Sequence, residues 1–97
     1  MRDYFIVSYD ICDPKRLRRV HQYVQDFGDP LQYSVFLCSL TSLELAQLRE
    51  GLRDLINHRD DQVLFIRLGQ ANEHTLKQAI SSMGQAMATR DLNRLIF

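Results

Sequence analysis

Apolar and polar positions alternate along this chain in short, well-punctuated runs. Tyr4-Phe5-Ile6-Val7-Ser8-Tyr9-Asp10-Ile11 reads as a β-strand of aromatic and β-branched residues. Phe5, Val7, Tyr9 and Ile11 share one side; Tyr4, Ile6, Ser8 and Asp10 share the other. Neither side is polar throughout, so the strand calls for cover on both. Asp13-Pro14 supplies an N-cap and a first helical residue. Leu17, Val20, His21, Val24 and Phe27 then recur at helical spacing, and Gly28-Asp29-Pro30 is expected to end that helix.

The run from Leu31 to Leu40 is a second extended stretch, either one bent strand or two short ones split near Gln32-Tyr33-Ser34. Thr41 and Glu44 make a capping box, with Leu40 and Leu45 where a hydrophobic staple puts them. Leu45, Leu48, Leu52, Leu55 and Ile56 stripe a second helix ending near Asn57-His58. Asp60-Asp61 leads into a third apolar strand, Gln62 to Leu68, closed by Gly69. Beyond it the pattern is double. Leu76, Ile80, Met83 and Met87 fit a helix, while Ser81-Ser82-Met83-Gly84 fits a short strand equally well. Leu92, Leu95, Ile96 and Phe97 form an apolar end of the kind that docks onto something.

Strand, helix, long or split strand, helix, strand is the order of an α+β, ferredoxin-like βαββαβ sandwich. Both helices of that architecture cover the same sheet face. The strands here are apolar at both parities, so the opposite face needs a cover of its own. A two-fold partner provides one, because an isologous patch covers itself. The pattern therefore predicts a homodimer: a single domain over 1–97, with a core at about 1–69 and a docking segment at about 70–97.

Composition narrows the class. Ninety-seven residues make one domain, and 45% hydrophobic with 25% charged residues is ordinary for a globular protein. No run approaches the ~18 apolar residues of a membrane span. Nor is there a cationic start followed by an apolar stretch and a small-residue cleavage site, so a cytoplasmic location and no membrane partner are expected. Cys12 and Cys38 have no CxxC spacing, and such thiols stay reduced in that compartment. Together with His21 they lack zinc spacing. Twelve basic residues balance twelve acidic ones, which argues against a uniformly basic nucleic-acid glove. Ten of the twelve bases are Arg, the better bidentate phosphate ligand, although codon usage in a GC-rich genome explains that bias more readily.

Asp10 is the strongest candidate for chemistry. A carboxylate ending an apolar strand needs water, a cation or a donor. If its face is the dimer face, two copies approach each other, and a hard divalent cation such as Mg²⁺ relieves their repulsion with one or two carboxylates and several waters. Metal-assisted phosphodiester hydrolysis follows as one reading, a surface Asp paired with a nearby Arg as the other. Lys15, Arg16, Arg18 and Arg19 crowd the first turns of the first helix, where the dipole opposes cations by roughly a few tenths of a kcal/mol each. That placement suits an external phosphate slightly better than a solvated face offset by Asp10 and Asp13. Asp13 is explained by capping. His21 belongs to the apolar stripe, and His58 and His74 lie in loop-like contexts. Tyr9 and Phe36 are core aromatics by default, with base stacking the sharper alternative.

Tyr9-Asp10-Ile11, Lys15-Arg16-Leu17-Arg18-Arg19, Gly28, Gln32-Tyr33-Ser34-Val35-Phe36 and Asp61-Gln62-Val63 closely resemble the small CRISPR-associated endoribonuclease family, the smaller core protein of CRISPR spacer acquisition. The resemblance runs from Tyr4 to about Leu68, with a fainter echo in Ile80–Gly84 and the apolar end. It implies a ferredoxin-like homodimer with an extra strand around Ala79–Met83 added to the partner's sheet. It implies metal-dependent cleavage of RNA or DNA at paired Asp10, supported by Tyr9, Asp13, Ser34 and Phe36, and nucleic-acid binding by Arg16, Arg18 and Arg19. It also implies a partner, the spacer integrase, bridged along duplex DNA. Leu37 stands where many members have Glu, and Asp29-Pro30 replaces a frequently basic approach to the second strand. Both departures bear on the nuclease more than on a non-catalytic DNA-bridging scaffold. A related toxin-type ribonuclease of the virulence-associated D kind is a further alternative.

Overall fold

In the computed structural model, which describes residues 1–85, the chain forms β1 (Asp3–Asp10), α1 (Pro14–Gln25), β2 (Gly28–Gln32), β3 (Val35–Leu40), α2 (Ser42–Leu55), β4 (Gln62–Gln70) and α3 (Glu73–Ala79). The sheet order is β2-β3-β1-β4, every neighbouring pair antiparallel. This is the expected α+β ferredoxin-like sandwich. The extended stretch is two strands, split at Tyr33-Ser34.

Local chemistry sets the helix starts. Asp13 caps α1 by accepting from the Arg16 amide at 2.9 Å, with Pro14 at the first helical position. Thr41 and Glu44 complete the capping box of α2. Both helices bury their stripes against the same sheet face. Val20, Val24, Leu48 and Leu52 join Phe5, Val7, Tyr9, Phe36, Cys38 and Leu40 in one core. Burial at Cys38 pushes its thiol up to about 12, with Asp29 adding to the rise, so it behaves as a small apolar residue.

Two expectations change. Gly28-Asp29-Pro30 does not merely end the helix; these residues are the first three of β2, and the helix has already stopped at Gln25. Pro30 is tolerated because β2 is an edge strand. Gly28 is required by closeness, since a Cβ there would run into the Leu37 carbonyl and the Cys38 sulfur.

The tail differs too. Glu73–Ala79 is a helix, capped by Asn72, whose side chain accepts from the Thr75 amide at 2.9 Å. His74 therefore lies on a helix. The strand expected around Ala79–Met83 is not formed within the chain: Ala79 closes α3, and Ile80 is extended but belongs to no strand. A strand needs a free sheet edge beside it, and the edge implied for this one belongs to a second chain. Met87 and the apolar end from Leu92 to Phe97 lie outside the described residues.

The second face of the sheet is only partly covered. Leu76 of α3, 1% exposed, packs with Leu37 among Tyr4, Ile6, Leu31, Leu68 and Ile80. Beyond α3, Leu64 and Ile66 of β4 remain 46% and 48% exposed, paired across the ladder with Ser8 and Ile6.

Candidate active site

Asp10 is the last residue of β1, directly opposite Gln62 of β4. It is exposed, on the face of Ile6 and Ser8 as its parity requires. Its side chain makes no hydrogen bond or ion pair among the described residues. The alternative of a strand-end Asp paired with a nearby Arg is not formed among the described residues.

The loop that follows is held by a different acid. Asp61, at the entry to β4, has a fully buried side chain. It accepts from the Cys12 amide at 2.9 Å, the Asn57 amide at 2.8 Å, and Arg16 Nε and Nη2 at 2.8 and 3.2 Å. The Cys12 thiol donates to the Asp60 carbonyl at 2.9 Å. The Arg16 guanidinium holds the Asp61 carboxyl well below the usual carboxylate range; the Asn57 and Cys12 amides add to the effect, and burial opposes it. One buried carboxylate thus ties the β1–α1 loop to the α2–β4 loop.

This assigns the expected phosphate-binding arginines different tasks. Arg16 is partly buried and engages Asp61 through two nitrogens, so its first contact is internal. Arg18 and Arg19 are exposed, with no ion pair among the described residues. Lys15 is exposed beside them.

Tyr9 and Phe36 are core residues, 5% and 0% exposed, with ring centroids 6.2 Å apart. Tyr9 Oη lies 2.7 Å from His21 Nδ1 and 3.3 Å from the Tyr33 carbonyl. Burial, with a smaller contribution from Tyr33, pushes the Tyr9 hydroxyl up to about 12, so it is a standing proton donor. Gln25 Nε2 lies 3.2 Å from His21 Nε2. An amide donating there leaves His21 Nδ1–H to donate to Tyr9 Oη, whose own proton then goes to the Tyr33 carbonyl; this assignment satisfies every group in the chain. Ser34 contributes its carbonyl, which accepts from the Tyr9 amide at 3.1 Å. Asp13 acts as a cap.

Sequence reasoning missed three participants. Asp61 stands in an acidic pair before a strand and in the Asp61-Gln62-Val63 stretch of the resemblance, with no role given to it. Tyr33 stood inside a motif without a role, and Leu76 inside an ambiguous tail. No local periodicity reports the 45-residue separation between Arg16 and Asp61.

The donor set at Asp10 suits a hard, oxygen-preferring divalent cation, for which one or two carboxylates with retained waters suffice. Among the described residues no three His, Cys, Asp or Glu side chains cluster as metal ligands.

A strand-end acid on an open sheet face, a basic helix start and a ferredoxin-like core coincide with a match to the family described as CRISPR associated protein Cas2, over residues 1–76. The chain belongs to the Cas2 family. A relative from Geobacter sulfurreducens, named CRISPR-associated endoribonuclease Cas2, is 36% identical over 85 residues, covering 88% of this chain and 87% of its own. Another of that name, from Rhodospirillum rubrum, is 36% identical over 92 residues, covering 95% and 88%. The crystal structure of Streptococcus pyogenes Cas2 at pH 6.5 superposes with a TM-score of 0.72 at 30% identity, over 84% of this chain and 99% of that one. No described helix of this Cas2 chain is long and apolar enough to cross a membrane.

Proposed function

We propose that this Cas2 protein is a homodimeric, divalent-cation-dependent endonuclease that cleaves phosphodiesters at paired Asp10, and that it serves CRISPR spacer acquisition by bridging the spacer integrase on DNA. The observation that carries the catalytic reading is the state of Asp10: an exposed carboxylate without a partner among the described residues, ending a strand on a half-covered apolar face. The relatives' printed name, endoribonuclease, supports the reaction class and favours RNA as one substrate.

A cation such as Mg²⁺ at the paired carboxylates would supply Lewis-acid polarisation of the phosphodiester. The chain's own residues do the rest. Asp10 from each copy provides the oxygen ligands. Asp61, through the Cys12 amide and Arg16, fixes the loop that leaves Asp10. Arg18 and Arg19, exposed and without an ion pair among the described residues, take phosphates.

The test is cleavage of a short single-stranded RNA and of duplex DNA with and without Mg²⁺. Wild type is expected to cut in a metal-dependent manner, and Asp10→Ala to lose at least 100-fold in rate while keeping its dimer and its affinity for duplex DNA. Cleavage that Asp10→Ala leaves unchanged overturns the catalytic assignment.

A non-catalytic bridging scaffold is the second reading, favoured by Leu37. It lies where many members have Glu, and it is packed under Leu76 on the same open face. Spacer acquisition in cells that survives Asp10→Ala would select the scaffold.

A further inference from the structure

We propose that the outer face of Tyr33, stacked on His21, is a binding site for one unpaired nucleobase of a single strand. The inference rests on the nucleic-acid-binding reading above and adds a substrate element to it.

Tyr33 lies in the two-residue turn between β2 and β3 and is 65% exposed. An exposed aromatic on a turn would ordinarily be free to sample rotamers. This ring is held instead. It stacks on the His21 imidazole with centroids 5.1 Å apart and planes 12° from parallel. His21 is itself fixed from three sides: Tyr9 Oη at Nδ1, Gln25 at Nε2, and the Phe36 ring edge-on at 5.4 Å. The backbone beneath is pinned as well, the Tyr33 carbonyl by Tyr9 Oη and the Ser34 carbonyl by the Tyr9 amide. The result is a flat aromatic ledge with its lower face supported and most of its surface in solvent.

The surroundings select the occupant. Tyr33 lies at the end of the sheet where β1 delivers Asp10, because Val35 pairs with Ser8 and Tyr9 reaches across to Ser34. Arg18 is one turn before His21 on α1 and so on the same helix face, exposed and without an ion pair among the described residues. A flat ring, with an exposed guanidinium on the neighbouring turn of α1 that makes no ion pair among the described residues, matches one nucleotide: the base stacks and the phosphate meets the cation. A protein partner would call for a contiguous apolar patch, and the exposed Leu64 and Ile66 lie on the opposite sheet face. Base pairs inside a duplex do not offer their π-faces, so the site reads an unpaired stretch or a frayed end.

The experiment uses the full-length protein and short single strands, RNA and DNA, carrying 2-aminopurine at successive positions, alongside a blunt duplex. Tyr33→Leu still covers His21 but has no π-face; Tyr33→Phe keeps the ring. Wild type and Tyr33→Phe are expected to quench 2-aminopurine at one position. Tyr33→Leu is expected to lose that quenching and to bind the single strand about tenfold more weakly, the scale of one stacked base. Its duplex affinity and dimer state should stay at the wild-type level. Arg18→Ala should weaken both ligands and flatten their salt dependence. If Tyr33→Leu quenches and binds the single strand as wild type does, the site is overturned while the cleavage reading stands. If Tyr33→Leu changes the oligomeric state instead, the ring is a protein interface and the site is likewise overturned. A wild type that binds no nucleic acid overturns both.

Discussion

At the scale of single residues, the decisive feature is a carboxylate the chemistry does not consume. Asp61 is buried with four donors and holds the loop between Asp10 and α1 in one conformation. Its carboxyl is depressed in the folded state, so its contribution is fully present above the unfolded value near pH 4 and is lost as pH falls through the lower folded value. Asp61→Asn puts an amide N–H group against at least one donor. It should destabilise by about 2 kcal/mol at pH 7, the scale of a buried hydrogen-bond partner removed. In urea unfolding the gap between wild type and variant should narrow as pH is lowered below about 4; a gap of constant size would mean that charge is not the source. Asp10 was legible because parity alone puts an acid on an apolar face. Arg16 was not: in sequence it is one more cation beside Arg18 and Arg19, and only the meeting of two loops separates them.

At the scale of elements, the caps and stripes were legible because each is local. Asp13-Pro14, Thr41…Glu44 and the Leu45-Leu48-Leu52 spacing need no knowledge of the rest of the fold. The contact between α1 and α2 is another matter. Tyr23 lies off the stripe read from the sequence, yet its ring lies over Gly51 of α2 and its hydroxyl donates to the Gln47 carbonyl at 3.0 Å. Gly51 costs α2 up to about 1 kcal/mol against Ala, and that cost is accepted because a Cβ would overlap the Tyr23 hydroxyl and ring. Gly51→Ala should therefore destabilise the wild-type chain by displacing Tyr23 from Gln47 and Phe27. In a Tyr23→Ala background the same change should stabilise by about 0.5–1 kcal/mol. A double-mutant cycle in urea measures the sign reversal; additive effects would remove the contact as the reason for the glycine. α3 was ambiguous for a physical reason too. Seven residues carry barely two turns of periodicity, and the burial of Leu76 on the far face of the sheet decides the matter.

At the scale of the whole molecule, the two sheet faces are unequal, and the proposed chemistry depends on that inequality. One face is sealed by α1 and α2. The other carries α3 over Leu37 and Leu68 but leaves Leu64 and Ile66 half in water beside Ile6. Strand parity foretold an uncovered face; it could not divide that face between the chain's own α3 and a second copy, because that division follows from where a seven-residue helix lands. Asp10 ends the same face, so whatever covers Leu64 and Ile66 also sets what Asp10 meets. Ile66→Lys tests the link. The substituted side chain starts from a half-exposed position, so the ammonium can reach water and the single-chain fold should keep its helical circular dichroism. Association should fail, with light scattering reporting one chain where wild type reports two. Metal-dependent cleavage should fall with it, because each Asp10 then stands alone and one carboxylate holds a divalent cation weakly. Raising the protein concentration should restore dimer and activity together along one curve. A monomeric variant that cleaves at the wild-type rate would separate the acid from the interface and place the whole reaction within one chain.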